Sequence, residues 1–200
     1  MYESCIKRLL DLILSLAACV VLAIPMGIIA LWIKKDSPGP VFFKQRRVGR
    51  GKKCFNILKF RTMRGDTPHD VPTHLLKNAD SYITKSGAFL RRTSLDELPQ
   101  IYNILKGDMS IVGPRPERPE LAAELEKEIP EFSFRLQVKA GLTGYAQVYG
   151  KYNTTPYDKL KLDLTYIRNY SVLEDLKLII MTPKIMLMKE STEGVKEETH

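Results

Sequence analysis

From Leu9 to Ile33 the chain is almost entirely apolar, interrupted by Asp11, Ser15, Pro25 and Gly27. At ~1.5 Å rise per residue, a helix of this length can cross a hydrocarbon core ~30 Å thick. Part of the fold must therefore answer to lipid rather than to water. A cleaved signal peptide needs small residues at a cleavage site soon after a shorter apolar run, and Leu31-Trp32-Ile33-Lys34-Lys35 is not such a site. Lys7-Arg8 precede the segment and Lys34-Lys35 follow it, and basic residues at both ends favour keeping both ends on the cytoplasmic side. Pro25 removes one backbone donor and clashes with the preceding turn, at a cost of ~3 kcal/mol in a regular helix. It marks the expected bend of a re-entrant helix that enters the bilayer and returns; the alternative is a straight span. Arg8 and Asp11 lie three residues apart on one helical face and are expected to pair at the headgroup level.

Two hundred residues are enough for one domain with a real core and too few for two ordinary enzyme domains. Thirty-one Lys and Arg against twenty-three Asp and Glu leave a formal charge of +8. An anionic partner is expected, and charge alone does not choose among phosphate, nucleotide, nucleic acid and acidic lipid. Cys5, Cys19 and Cys54 are odd in number, and two of them fall in or beside the apolar segment, which argues against a disulfide framework. His69, His74 and His200 show no zinc-like spacing.

The remainder reads as α+β and mostly helical. Asp36-Ser37-Pro38-Gly39-Pro40 is a turn cluster; Val41-Phe42-Phe43 and Cys54 to Leu58 read as two short strands, joined as a hairpin through Gly49-Arg50-Gly51. Nine basic residues and no acidic one lie between Lys44 and Arg64. They fit either a solvated or lipid-facing hairpin or a wall that faces phosphate, with Lys59 and Arg61 pointing inward. The Gly49 to Lys53 stretch lacks Walker A spacing. Gly65 to Asp80 reads as a loop or lid. Ser86 to Leu105 reads as helix, cap and helix, closed by Lys106-Gly107-Asp108. Glu120 to Phe134 is helical in pattern apart from Pro130. Gly141 to Gly144 reads as a turn, and Pro156 to Tyr170 as a helix. Val172 to Lys189 carries broad apolar surface and reads as an amphipathic interfacial helix; the alternative is a buried C-terminal core helix.

Three constellations can carry chemistry. Asp96 and Glu97 stand in Ser94-Leu95-Asp96-Glu97-Leu98-Pro99, where Ser94 and Glu97 also have the spacing of a capping box. With Arg91 and Arg92 just upstream, a carboxylate, a divalent cation and a phosphate could instead assemble there. A carboxylate can attack phosphorus when cations neutralise the oxygens that would repel it. In Gly113-Pro114-Arg115-Pro116, two prolines fix the backbone on both sides of one arginine, so its guanidinium has little entropy left to lose on meeting a phosphate. In Gly141 to Val148, the glycines allow close backbone approach and Gln147 could read an amide-like base edge.

Taken together, these elements resemble the small monotopic phosphoglycosyl transferases of bacterial glycoconjugate assembly. The resemblance runs over nearly the whole chain: Lys7-Arg8 with Asp11, the Ile24-Pro25 break, Lys59 to Met63, Ser94 to Gln100, Lys106 to Ser110, Gly113 to Pro116, and Gly141 to Val148. It implies a re-entrant membrane helix over residues 1–35 and a membrane-associated catalytic domain over 36–200, on the cytoplasmic face of the bacterial inner membrane. It implies Mg²⁺ and a two-step reaction. Asp96, also the metal ligand, would take a sugar-1-phosphate from a UDP-sugar as a covalent adduct, and undecaprenyl phosphate would then accept it. Glu97 would act on the incoming phosphate or help hold Mg²⁺; Lys59, Arg92 and Arg115, presented by Pro114 and Pro116, would bind phosphate; Gln147 would touch the nucleotide. Arg8, Asp11 and Pro25 would belong to the anchor, and Asp163 and Tyr166 would support the site. The chain reads as the minimal form of the family, without the added helices and domain of many relatives, and its residues after Pro116 favour a hexose.

The expected partners are a UDP-sugar, undecaprenyl phosphate and the phospholipid membrane. A homodimer is allowed and nucleic acid is not expected. The rival reading is a membrane-anchored basic binding protein without catalysis.

Overall fold

The computed structural model describes residues 5–67, 79–150 and 153–187. Helix α1 (Lys7–Asp36) is continuous through Pro25 and is long and apolar enough to cross a membrane. Lys7, Asp11 and Ser15 near its start and Ile29 and Ile33 near its end are buried, at helical spacing on one face. Between them the helix is largely exposed, Ile24 at 76%.

The Arg8–Asp11 pair expected from spacing is not formed. Asp11 instead accepts from the Ser110 hydroxyl at 3.0 Å and the Ile111 N–H at 2.9 Å. Arg8 donates to the carbonyls of Ile104 and Leu105 at 2.6 and 2.8 Å. Those carbonyls end a helix, where orphan acceptors and the helix dipole both favour a cation. Lys7 pairs with Asp175 and donates to the Tyr166 hydroxyl at 3.0 Å. The first turns of α1 are thus bonded into the body of the domain.

The hairpin forms with longer strands than expected. β1 (Phe42–Val48) runs antiparallel to β2 (Cys54–Phe60), with Phe42 opposite Phe60 and Val48 opposite Cys54. Between them Gly51 and Lys52 both adopt φ of 62°, the left-handed turn for which glycine is suited. The outer edge of β2 is not left open. The Asn103 amide accepts from Leu58 N–H at 2.9 Å and donates to Asn56 C=O at 2.8 Å.

The predicted helix, cap and helix appear as α2 (Lys85–Arg92), a 3-10 turn (Leu95–Glu97) and α3 (Gln100–Lys106). Thr84 caps α2 by accepting from Gly87 N–H at 3.0 Å. Gly107, at φ +98°, stops α3.

Gly141 to Gly144 is not a simple turn. β3 (Met109–Val112) pairs in parallel with β4 (Ala140–Thr143), joined through α4 (Pro119–Glu128) and a 3-10 segment (Pro130–Gln137). The glycine of this strand reflects close packing: a Cβ on Gly141 would lie 2.1 Å from Gly113 N. After β4 come α5 (Tyr145–Tyr149), α6 (Pro156–Asn169) and α7 (Val172–Leu187). On α7, Asp175 and Leu178 are buried while Leu173 and Ile180 are exposed, so one helix carries both a core face and an apolar outer face.

Three core clusters join these parts. Ile29 and Ile33 of α1 pack with Phe60 and Leu90; Ile57, Ile104, Met109 and Ala140 form the second; Val112, Val148, Tyr166 and Leu178 form the third. The fold is mostly helical, with one apolar N-terminal helix and two small two-stranded sheets among the described residues. The loop read over Gly65 to Asp80 lies mostly outside the described residues.

Candidate active site

Ser94 sits between α2 and the following turn at φ 54°, a left-handed conformation uncommon outside glycine. Its side chain makes no capping bond. The capping-box reading therefore does not hold: the turn is set by backbone, and both carboxylates are turned toward β2 and the loop after β3. Lys59 of β2 donates to Glu97 Oε1 at 2.6 Å and lies 3.9 Å from Asp96 Oδ2. Arg115 grips Glu97 with both terminal nitrogens, at 2.5 and 3.1 Å, in the bidentate geometry that suits a guanidinium and a carboxylate. Its own side chain stays 47% exposed, so it still faces solvent beside the pair.

The two adjacent carboxyls are driven apart in acidity. Burial pushes Asp96 up, against Lys59, with the charge of Glu97 adding to the rise. Burial would also raise Glu97, but Arg115 and Lys59 outweigh it and hold that carboxyl at about 2. Glu97 is thus a fixed anion with its oxygens occupied. Asp96 accepts no hydrogen bond among the described residues, and its carboxylate keeps lone pairs available. Neighbouring carboxyls with divergent acidity are a common mark of reactive sites.

Of the residues read from sequence, Asp96, Glu97, Lys59 and Arg115 come together. Pro114 and Pro116 flank Arg115 in a loop stitched to β4, with Gly141 N–H donating to Pro114 C=O at 2.9 Å. Arg92 does not join them: it is exposed and lies over the Phe89 ring, 5.9 Å from its centroid. Arg91 is the α2 arginine whose charge acts on Asp96, and its Nε donates to Thr62 Oγ1 at 2.9 Å. Arg91 falls four residues after Gly87, on the face of α2 that meets Thr62, since a Cβ on Gly87 would lie 1.9 Å from Thr62 C=O. Arg61 is buried but braces the turn after α1, donating to Pro38 C=O and, at 2.8 Å, to Ser37 C=O. Gln147 lies on α5, and both polar atoms of its amide are buried without a hydrogen-bond partner among the described residues. Tyr166 and Asp163 are buried; Tyr166 meets Lys7 and Asp175, while Asp163 pairs with Arg135 at 2.6 Å. Among the described residues no three His, Cys, Asp or Glu side chains gather as a ready-made metal cage.

One available carboxylate stands beside a fixed anion and several cations, an arrangement that can stabilise charge on phosphate oxygens. The chain belongs to the bacterial sugar transferase family, whose model matches residues 2–189. It is 45% identical over 181 residues to a UDP-glucose:undecaprenyl-phosphate glucose-1-phosphate transferase of Xanthomonas campestris pv. campestris, covering 88% of this chain and 37% of that protein. It is 37% identical over 186 residues to a UDP-N-acetylgalactosamine-undecaprenyl-phosphate N-acetylgalactosaminephosphotransferase of Aeromonas hydrophila, covering 91% of this chain and 44% of the relative. With the exopolysaccharide production protein PSS of Rhizobium leguminosarum bv. phaseoli it shares 41% identity over 199 residues, 94% of this chain and 96% of that one. The chain thus spans less than half the length of the first two relatives and nearly all of the third.

Proposed function

We propose that this chain is a phosphoglycosyl transferase that moves a sugar-1-phosphate from a UDP-sugar to undecaprenyl phosphate, through a phosphosugar carried on Asp96. The observation that carries this reading is the division of labour between the two carboxyls: Glu97 is saturated by Lys59 and Arg115, while Asp96 beside it accepts no hydrogen bond among the described residues. In the first step an Asp96 oxygen attacks the phosphorus that bears the sugar. The bond from that phosphorus to the bridging oxygen breaks, and UMP leaves with the electron pair. In the second step a phosphate oxygen of undecaprenyl phosphate attacks the same phosphorus. The acyl-phosphate bond breaks, the Asp96 carboxylate is restored, and a polyprenyl-diphosphate-sugar departs.

Lys59 and the exposed face of Arg115 stand where they would neutralise phosphate oxygens, and Arg91 adds charge beside Asp96. Glu97 orients both Lys59 and Arg115. The unmet amide of Gln147 suits a nucleotide edge. Mg²⁺ commonly takes one or two carboxylates and completes its shell with water and substrate phosphates, so Asp96 fits it without a preformed cage. When bound it would withdraw charge from the diphosphate. A hexose is favoured, in line with the glucose transferase in Xanthomonas at the higher identity.

Residues 1–35 form the anchor and 36–200 the catalytic domain, on the cytoplasmic face of the inner membrane. A re-entrant path is supported by the two ends of α1, which pack on one body while its middle stands clear.

Two experiments test the reading. Incubation with UDP-glucose, UDP-galactose or UDP-N-acetylgalactosamine and Mg²⁺, without lipid, should add a phosphosugar to Asp96, detected by intact mass and peptide mapping. Turnover without that adduct would refute the covalent route. In sealed inside-out vesicles, Cys5 and Cys54 should both react with an impermeant thiol reagent, since both are exposed; protection of Cys5 alone would establish a straight span.

A further inference from the structure

The backbone that presents Arg115 is held at every carbonyl from Pro114 to Glu117. Pro114 C=O accepts from Gly141 N–H at 2.9 Å, and Glu117 C=O accepts from Val48 N–H at 2.9 Å. Between them, two arginine side chains do the holding. Arg135 donates to Arg115 C=O at 3.0 Å, and Arg47 donates to Pro116 C=O at 3.1 Å.

A buried guanidinium is costly unless paired; Arg135 is buried and Arg47 half-buried, and each has a carboxylate beside it. Arg135, with a side chain only 5% exposed, lies 2.6 Å from Asp163 of α6 and 3.7 Å from Glu117. Arg47, on β1, lies 4.0 Å from the other oxygen of Glu117. The Phe132 ring covers Arg135, 4.7 Å from its guanidinium carbon. Asp163, Arg135, Glu117 and Arg47 form an alternating row of charge beneath the loop, drawn from α6, the 3-10 segment, the loop itself and β1. Besides the Glu117 side chain, the row meets the loop through its backbone carbonyls. The side chain of Arg115 stands on the other side, on Glu97.

We infer that Arg47, Arg135 and Asp163 are positioning residues for the transferase reaction: they fix the main chain at Arg115 and Pro116, so that the guanidinium reaches Glu97 and the phosphate site in one geometry. The two prolines restrict φ on either side of Arg115 and Pro116 biases Arg115 toward extended backbone, but ψ of Pro116 and the range left to Arg115 still need a restraint. The two carbonyl contacts supply it. Asp163 acts at one remove, by keeping Arg135 paired and aimed. Lysine cannot replace Arg135 here, because Nη2 meets both Asp163 and Arg115 C=O while Nη1 faces Glu117, and a single ammonium does not serve all three as a planar fork does. This inference rests on the phosphoglycosyl transferase reading.

The test is a double-mutant cycle on the full-length protein in membrane discs. UMP release is measured with UDP-glucose, UDP-galactose and UDP-N-acetylgalactosamine, with Mg²⁺ and undecaprenyl phosphate. Asp163→Asn and Arg135→Lys should each lower kcat/KM by roughly tenfold or more, with KM for the UDP-sugar rising, since small misplacements of a phosphate-binding group are costly. In an Arg115→Ala background the same changes should cost less than about twofold, because the group they position is gone. Asp163→Glu, which keeps the charge, should recover most of the loss. Equal losses in both backgrounds would overturn the inference, and so would a fall in active fraction with KM unchanged. Should Asp163→Asn fail to fold, Arg135→Lys and Arg47→Lys complete the cycle. UMP release from the wild type with background-independent losses refutes the positioning role alone. No release from the wild type removes the functional reading and this inference with it.

Discussion

Replacing Glu97 by Gln keeps the shape of the side chain and one acceptor oxygen but removes the charge that Arg115 and Lys59 surround. A fall from 4.5 to about 2 for this carboxyl corresponds to about 3 kcal/mol of preference for its ionised form in the folded protein. The Glu97 side chain is only 16% exposed, so solvent screening takes little of that. Glu97→Gln should therefore lose about 3 kcal/mol of stability at pH 7. The sign follows from the direction of the shift. A depressed carboxyl contributes fully above its unfolded value of 4.5, and the contribution fades as pH falls through about 2. The gap between wild type and variant should be constant from pH 7 to pH 5 and narrow below 4.5. Denaturant unfolding in detergent micelles, without divalent cation, measures it at each pH. A gap below about 0.5 kcal/mol at pH 7, the size of an ordinary surface substitution, would refute the electrostatic account. So would a gap of full size that persists at pH 3.

Asp96→Asn should abolish the phosphosugar adduct yet raise the melting temperature at neutral pH. Burial raises Asp96, so the wild type loses stability as pH climbs from 3.8 through the raised value, and the variant, compared by thermal unfolding at pH 4 and pH 8, does not. Gly87→Ala should cost about 3 kcal/mol of unfolding free energy and slow UMP release, because the new methyl would lie 1.9 Å from Thr62 C=O and displace the helix that carries Arg91. Lys7→Met should cost about 3–5 kcal/mol by taking the Lys7 ammonium from the buried Asp175 carboxylate, which keeps the Tyr166 hydroxyl but loses that positive charge. The double change Lys7→Met with Asp175→Leu should recover most of that loss in the same melt.

The local rules carried the sequence reading furthest where one residue decides. Pro156 after Thr155 announces α6, and Gly107 announces the end of α3. The paired carboxyls and Arg115 were legible because their residue types are chemically distinctive and close in sequence. Long-range pairing was not. The β3–β4 pair joins four-residue strands across 27 residues of intervening chain, and Gly141 reads locally as a turn although its missing Cβ serves a backbone contact with Gly113. The same holds for Asp11. Its nearest cation by spacing is Arg8, but a buried hydroxyl at Ser110 and the N–H of Ile111 compete for it from 99 and 100 residues away. Arg91 and Arg92 differ only in helical phase, which needs the position of Thr62 to decide it.

These long-range bonds bear on what the anchor does. Were α1 only a tether, a fragment starting after Ser37 would keep its fold and its reaction with a soluble acceptor. The contacts argue otherwise. Removal of α1 uncovers Phe60 and Leu90 from Ile29 and Ile33, and strips Arg8 from the carbonyls that end α3. It takes Asp36 from Ser86, whose N–H and hydroxyl it accepts at 2.7 Å each, at the start of the helix bearing Arg91. It also leaves Asp175 without Lys7, so the loss falls on both flanks of the site. The fragment should aggregate or melt well below the full chain, and should form no Asp96 adduct even at high UDP-sugar concentration. A stable, monodisperse fragment that still forms the adduct would show the anchor to be a tether after all.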